Sequence, residues 1–189
     1  MNRLAIWPPV PVSQSRADLD ALSATVSGLL RSDMGSSDSD VQSRLGYLLI
    51  VRSCGHLETT QKECLEGLHL RLFGSVVTSY IHSMSFTRGS NPSSSYLLEL
   101  LGRIAPEEAK EALKEFLKGK FRSKNSSFDE RKYQDILNDL VRIRNNIAHG
   151  EQGILSNAED SLEYKKAAID ICDWYLSYFE PKGKAEQLY

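Results

Sequence analysis

The segment ILNDLVRIRNNIAHG, Ile136 to Gly150, decides how this chain is read. At about 100° per residue, its apolar members Ile136, Leu137, Leu140, Val141, Ile143, Ile147 and Ala148 fall in one sector about 160° wide, the pattern of a helix laid against a core. Gly150, with Gly153 beyond it, marks the end. Arg144 points close to the centre of that apolar sector. A guanidinium there is costly unless it is paired or faces a polar seam, so its surroundings should hold a carboxylate, another anion or a subunit boundary. His149 follows on the same helix about 140° further round. A regular helix keeps the two apart. They converge only if the helix distorts or ends near Ala148-His149-Gly150, or if a second subunit brings its own copy across a two-fold axis.

Working outward, nearly every long segment repeats the helical period, and the breaks are clusters of Gly, Ser, Pro and Asn, so the expected class is all-α. After an arm containing Pro8, Pro9 and Pro11, Ser13 or Ser15 is expected to cap a helix carrying Leu19, Leu22, Val26, Leu29 and Leu30, which stops at Gly35-Ser36-Ser37. Asp38 or Ser39 opens a long apolar stretch through Leu45, Leu48, Leu49, Cys54 and Leu57 toward Leu65 and Leu68, with Gly55 and Gly67 as expected kinks. A further helix through Leu70, Phe73, Val77, Tyr80 and Ile81 runs to a loop at Thr87–Pro92. Tyr96 to Ile104 form a short helix. Pro106-Glu107-Glu108 then suits the first turn of the next, with carboxylates at its positive end. Ser126 or Ser127 is expected to start the helix that leads to the motif, and a last amphipathic helix runs from about Asp160 to Phe179.

The 189 residues, 41% hydrophobic, suffice for one domain with a core of its own. A net charge of −2 gives no global basic field of the kind that marks many nucleic-acid binders, so any RNA contact has to be local. Lys118, Lys120, Arg122 and Lys124, with Phe121 among them, offer such a contact, phosphate neutralisation beside a stacking ring; as a plain reading the segment is a solvated, mobile loop. Cys54, Cys64 and Cys172 fall inside helical patterns, an odd number that suits buried thiols in a reducing compartment. The apolar start is cut short by prolines, and no run approaches the about 20 residues of a membrane span. A cytoplasmic protein without membrane contact is expected.

No phosphate-cradling Gly-rich motif occurs, and Cys54, His56, Cys64 and His69 fit no familiar zinc spacing, so neither a metal nor a cofactor is expected. The chemistry available to the motif is acid–base. His149 is of the residue type whose side chain ordinarily changes charge near neutral pH, and Arg144 carries a permanent planar charge matched to phosphoryl oxygens. Asn138, Arg142, Asn145 and His149 share a polar face of the same helix. If that face is the working one, Arg142 replaces Arg144 as the phosphate ligand.

Arg144-Asn145-Asn146-Ile147-Ala148-His149 resembles the Arg-x4-His signature of HEPN domains, whose first intervening position is commonly polar, as Asn145 is. The position also fits, since in that family the motif closes the penultimate core helix and one amphipathic helix follows. The resemblance covers about 38–180, with 1–37 as an N-terminal arm and helix packing on the core and 181–189 as a charged tail. The stretch 88–125 reads as an insertion of helices and basic loop, similar to the larger defence-associated members. Gly55-His56-Leu57-Glu58 is similar to the segment where several HEPN groups carry an acidic residue facing the site, which makes Glu58 the candidate partner of Arg144.

The resemblance implies an all-α HEPN-like bundle acting as a dimeric, metal-independent endoribonuclease that leaves 2′,3′-cyclic phosphate and 5′-hydroxyl ends. Arg144, His149 and Asn145 would be its catalytic residues. It further implies the toxic effector of a toxin–antitoxin or antiphage system, held in check by a cognate antitoxin or regulatory protein. The rival reading is a catalytically silent HEPN module that dimerises or binds nucleotide, RNA or protein.

Overall fold

The computed structural model describes residues 7–31, 38–86, 91–151 and 157–181. It holds six helices: α1 (Val10–Arg31), α2 (Asp38–Ser85), α3 (Ser94–Ile104), α4 (Glu107–Lys118), α5 (Tyr133–Ala148) and α6 (Ala158–Phe179). Among the described residues no strand forms, only an isolated antiparallel bridge between Lys120 and Lys132. The all-α bundle expected from the periodicity is what the chain adopts.

α2 and α6 make the most extensive pairing. Leu57 and Leu65 of α2 meet Ile171 and Tyr175 of α6 in one core, closed by Leu97 and Leu101 of α3, Leu113 and Leu117 of α4, and Ile136, Leu140 and Ile143 of α5. A smaller cluster of Leu19, Val26, Leu49 and Ile169 binds α1 to α2 and α6. Each fully buried Leu or Ile contributes about 1.5–3 kcal/mol relative to its exposed state, so these faces set the order of the helices.

Three boundaries differ from the sequence-based expectation. α1 starts at Val10, ahead of Ser13 and Ser15, with the amides of Val12 and Ser13 donating to the Pro9 carbonyl at 3.0 and 3.1 Å. Pro8 and Pro9 precede the helix and Pro11 falls in its first turn, where a missing N–H goes unnoticed. That leaves Ser15 free to pair its hydroxyl with the buried His56 Nδ1 at 3.2 Å.

α5 starts at Tyr133, well after Ser126 and Ser127. Those serines belong to a turn in which Asn125 Oδ1 accepts from the Ser127 amide and Asp129 Oδ1 from the Ser123 amide, while Phe128 is buried. Side chains that satisfy loop amides compete directly with helix formation.

α2 breaks at Gly74 rather than at Gly55 or Gly67. Gly74 has φ 74° and ψ 177°, a conformation essentially reserved for glycine, and the chain doubles back there. Thirteen residues apart, His69 Nδ1 and His82 Nε2 lie 3.4 Å from each other, where a straight helix would separate them by about 20 Å. His82 Nδ1 also lies 3.9 Å from Glu66, which ties the returning arm to the first part of α2, and His69 Nε2 meets the Ile104 carbonyl at 2.6 Å, which ties that first part to the end of α3. Burial holds His82 below the ordinary imidazole pKa. Phe73, Val77 and Tyr80, expected on a packed helix face, are exposed near this bend together with Leu72 and Val76.

The two glycine types should respond oppositely to a methyl group. Gly55→Ala, with open space and helical backbone, is expected to stabilise the protein by about 0.5–1 kcal/mol. Gly74→Ala is expected to destabilise it by about 1–3 kcal/mol through backbone strain. Urea denaturation of both variants measures this, and equal responses would contradict the hairpin at Gly74.

Candidate functional site at the end of α5

The core face of α5 buries Ile136, Leu137, Leu140, Val141 and Ile143. Its last turn outruns that core. Ile147 is half-buried, and Ala148, assigned to the apolar sector from the sequence, is exposed together with His149 and Gly150. Arg144, between these regions, is half-buried.

The Arg144 guanidinium meets three oxygens. Nη1 donates to Asn91 Oδ1 at 2.8 Å and to Asn145 Oδ1 at 3.2 Å, and Nη2 lies 3.8 Å from Glu58 Oε1. Glu58 comes from the middle of α2, Asn145 from α5 itself and Asn91 from the segment leading into α3. The polar seam demanded by a cation in an apolar stripe is therefore built from three separate parts of the chain. Burial pushes the Glu58 carboxyl above its usual pKa, against the opposing pull of Arg144.

His149 is the C-cap of α5, with φ −87° and ψ 3°, and its amide donates to Asn145 and Asn146 carbonyls at 3.0 and 3.2 Å. Gly150 follows at φ 79°. Its amide reaches the Ile147 carbonyl at 3.0 Å and the Glu151 amide reaches the Asn146 carbonyl at 3.0 Å, the pair of bonds of a Schellman closure. The helix thus stays regular through Ala148 and ends tightly. Within one chain, Arg144 turns inward to its three oxygens while His149 is exposed about 140° around the axis.

The polar face of α5 is partly occupied. Asn138 Oδ1 accepts from the Ser94 amide at 3.1 Å and the Ser94 hydroxyl at 2.9 Å. Arg142 is exposed and pairs with Asp139 at 3.1 Å, and Asp139 also takes Arg131 at 2.6 Å. Although burial opposes it, the hydrogen bonds from Arg131 and Arg142 hold the Asp139 carboxyl below its ordinary pKa. Arg142 therefore sits on the outer face with a carboxylate of its own, while Arg144 is the arginine held at the seam.

The basic segment differs from the mobile loop with a stacking ring that its composition indicated. Phe121 is wholly buried, packed edge-on to Tyr133 and with Lys166 Nζ 4.7 Å from its ring centre, so it cannot stack on a base. Backbone bonds from Phe121 to Arg131 at 2.8 Å, from Glu130 to Phe121 at 3.0 Å and from Tyr133 to Gly119 at 3.1 Å hold the segment against the start of α5. Lys118 pairs with Glu115 at 2.6 Å, Lys120 and Arg122 both pair with Glu130, and Lys124 is exposed.

The three cysteines are free and buried, and burial pushes Cys54 and Cys172 up to about 12, so neither is a nucleophile at neutral pH. Among the described residues no group of three or more metal-ligand side chains gathers, and no helix is long and apolar enough to cross a membrane.

An all-helical bundle whose penultimate helix ends in Arg-x4-His has the architecture of one class of helical domains. The family model for RiboL-PSP-HEPN matches residues 17–180, reaching back into α1. The chain belongs to this HEPN family. No curated protein and no solved structure gave a match.

Asn91 is the residue that sequence reasoning missed. It precedes a proline in a loop, where no periodicity assigns a direction, and nothing local marks its oxygen as the partner of a side chain 53 residues away.

Glu58 generates a pH prediction. A carboxyl whose pKa is raised on folding binds its proton more tightly folded than unfolded. Its destabilising effect is therefore absent below the unfolded value near 4.5 and complete above the raised folded value. Glu58→Gln is expected to raise the thermal midpoint at pH 7, with the gain shrinking toward pH 4. A gain that grows on acidification would show that Arg144 outweighs burial at this carboxylate.

Proposed function

We propose that this HEPN protein is a metal-independent endoribonuclease that works as a dimer, with the α5 helices of two copies facing one RNA strand. His149 takes the proton from a ribose 2′-hydroxyl, whose oxygen attacks the adjacent phosphorus. The 5′-oxygen leaves and gains a proton from the imidazolium, giving a 2′,3′-cyclic phosphate and a 5′-hydroxyl. Arg144 binds the phosphoryl oxygens and stabilises the charge of the pentacoordinate state, with Asn145 orienting its fork.

The observation that carries this reading is the pairing of opposites at the end of α5. Arg144 is hydrogen-bonded by neutral amides with the Glu58 carboxylate standing off at 3.8 Å, and His149 is exposed at the end of the helix. Family membership supports an RNA-related role. Their separation around one helix supports a second copy as the means of bringing Arg and His together. Such an enzyme is harmful when unchecked, so we assign it to a toxin–antitoxin or antiphage system with a cognate inhibitor. The basic side chains Lys118, Lys120, Arg122 and Lys124 would contribute to RNA attraction, the first three by exchanging their own carboxylates for phosphates, a contact weakened by salt.

The same separation also favours a second reading, a silent HEPN module that dimerises and binds RNA or protein without cutting. Cleavage assays in EDTA separate the two. Wild type should cut RNA in EDTA, and Arg144→Ala and His149→Ala should each lose about 10²–10⁴-fold while remaining folded. If a site takes Arg144 from one subunit and His149 from the other, mixing and refolding the two dead variants should restore about a quarter of wild-type activity, since half the dimers carry one intact site of two. An inert wild type supports the silent module, and mixed variants that stay dead place both residues of each site on one chain.

A further inference from the structure

The guanidinium of Arg144 has five N–H donors, two of them on Nη1. Both Nη1 hydrogens are engaged by amide oxygens, Asn91 Oδ1 at 2.8 Å and Asn145 Oδ1 at 3.2 Å. Glu58 lies 3.8 Å from Nη2, beyond hydrogen-bond length. Among the described residues, the Nε and Nη2 edge of the fork is therefore left with its donors open, and this is one of the edges that fit two oxygens of a phosphate. One side of the guanidinium is clamped by two amides, while its Nε/Nη2 edge, with the Glu58 carboxylate 3.8 Å from Nη2, makes no hydrogen bond among the described residues.

Asn91 supplies the shorter of the two clamping bonds, and its own segment has little other use for its side chain. α3 is capped by Ser93, whose hydroxyl accepts from the Tyr96 amide at 3.3 Å. The Ser93 amide is in turn satisfied by the Asn91 carbonyl at 2.8 Å. Pro92, which is buried, restricts the backbone of Asn91. Two residues further on, Ser94 is fastened to Asn138 of α5 through both its amide and its hydroxyl. The segment is stapled to α5 at two points, and Asn91 is presented to Arg144 from a fixed base.

The chemistry of the clamp is as informative as its position. Arg131 and Arg142 share the carboxylate of Asp139, which neutralises much of their charge locally. At Arg144 the hydrogen-bonding acceptors are amides, which fix direction without adding negative charge.

We infer that Asn91 is a positioning residue: through a neutral acceptor it pins the guanidinium of Arg144 so that the Nε/Nη2 edge faces an RNA phosphate. This rests on the nuclease reading for the cleavage step, while the phosphate-binding step is testable without it.

The test uses the full chain as wild type, Asn91→Ala, Asn91→Asp and Arg144→Ala, each checked for thermal midpoint. Binding of a short single-stranded DNA oligonucleotide, which lacks the attacking 2′-hydroxyl, is followed by fluorescence anisotropy across a KCl series. Cleavage of the matching RNA is followed under single-turnover conditions. Asn91→Ala should weaken both by about tenfold, the worth of one charge-assisted hydrogen bond. Asn91→Asp keeps an acceptor for Arg144 and a stable fold but adds a negative charge, so it should bind less tightly than Asn91→Ala and with a shallower salt dependence.

A residue with a merely structural role would be rescued by Asp. Wild-type binding and cleavage in Asn91→Asp, or in Asn91→Ala while Arg144→Ala is impaired, would overturn the inference. A wild type that binds DNA but leaves RNA uncut removes the nuclease reading alone, and the binding series then decides the role of Asn91. Failure of Arg144→Ala to differ from wild type in either assay sinks both.

Discussion

A permanent charge half-buried in the apolar face of α5 is the constraint from which the rest of the site follows. Arg144 follows Ile143 and Leu140, both buried, and that location is tolerable only because oxygens from three parts of the chain converge on it. Satisfying it requires α2 to pass with Glu58 at the right height and the approach to α3 to be drawn onto α5. Asn138 must then take up the first amide of α3, which fixes that approach at a second point. The core helices thus hold the arginine, and the arginine in turn helps fix how α2, α3 and α5 meet.

Much of this was legible in the sequence because it depends on period. The buried face of α5 and its glycine stop, the final helix, and Glu58 as the carboxylate nearest Arg144 all follow from spacing or from family likeness. What escaped depends on contacts between distant segments. Gly74 turns the chain while Gly55 and Gly67 continue it, a distinction set by which of them must fold His82 back onto His69. Ser126 and Ser127 have the composition of a helix start but serve a turn anchored by Phe121 and Phe128, whose burial no local pattern announces. Asn91 lies in the same category, a loop amide whose partner is chosen by tertiary packing alone.

The two motif residues illustrate how differently one helix can treat its side chains. Arg144 is held by Asn145 of its own helix and by Asn91 from outside it, whereas His149 is placed by backbone closure, with Gly150 absorbing the left-handed turn that stops the helix. The imidazole is therefore located accurately at its root while its ring stays open to whatever approaches the end of the bundle.

The dominance of the α2–α6 pairing governs how the molecule comes into being on the ribosome. α2 is made early and presents its long apolar face to α6, an element that follows the motif helix in the chain. Until α6 emerges, Leu57, Leu65 and the inner residues of α5 lack a large part of their cover, and contacts so distant in sequence form late. Translation order thus leaves the core around Leu57 and Leu65 incomplete until α6 follows, although Glu58, Asn91 and Asn145, the partners of Arg144, precede α6 in the chain.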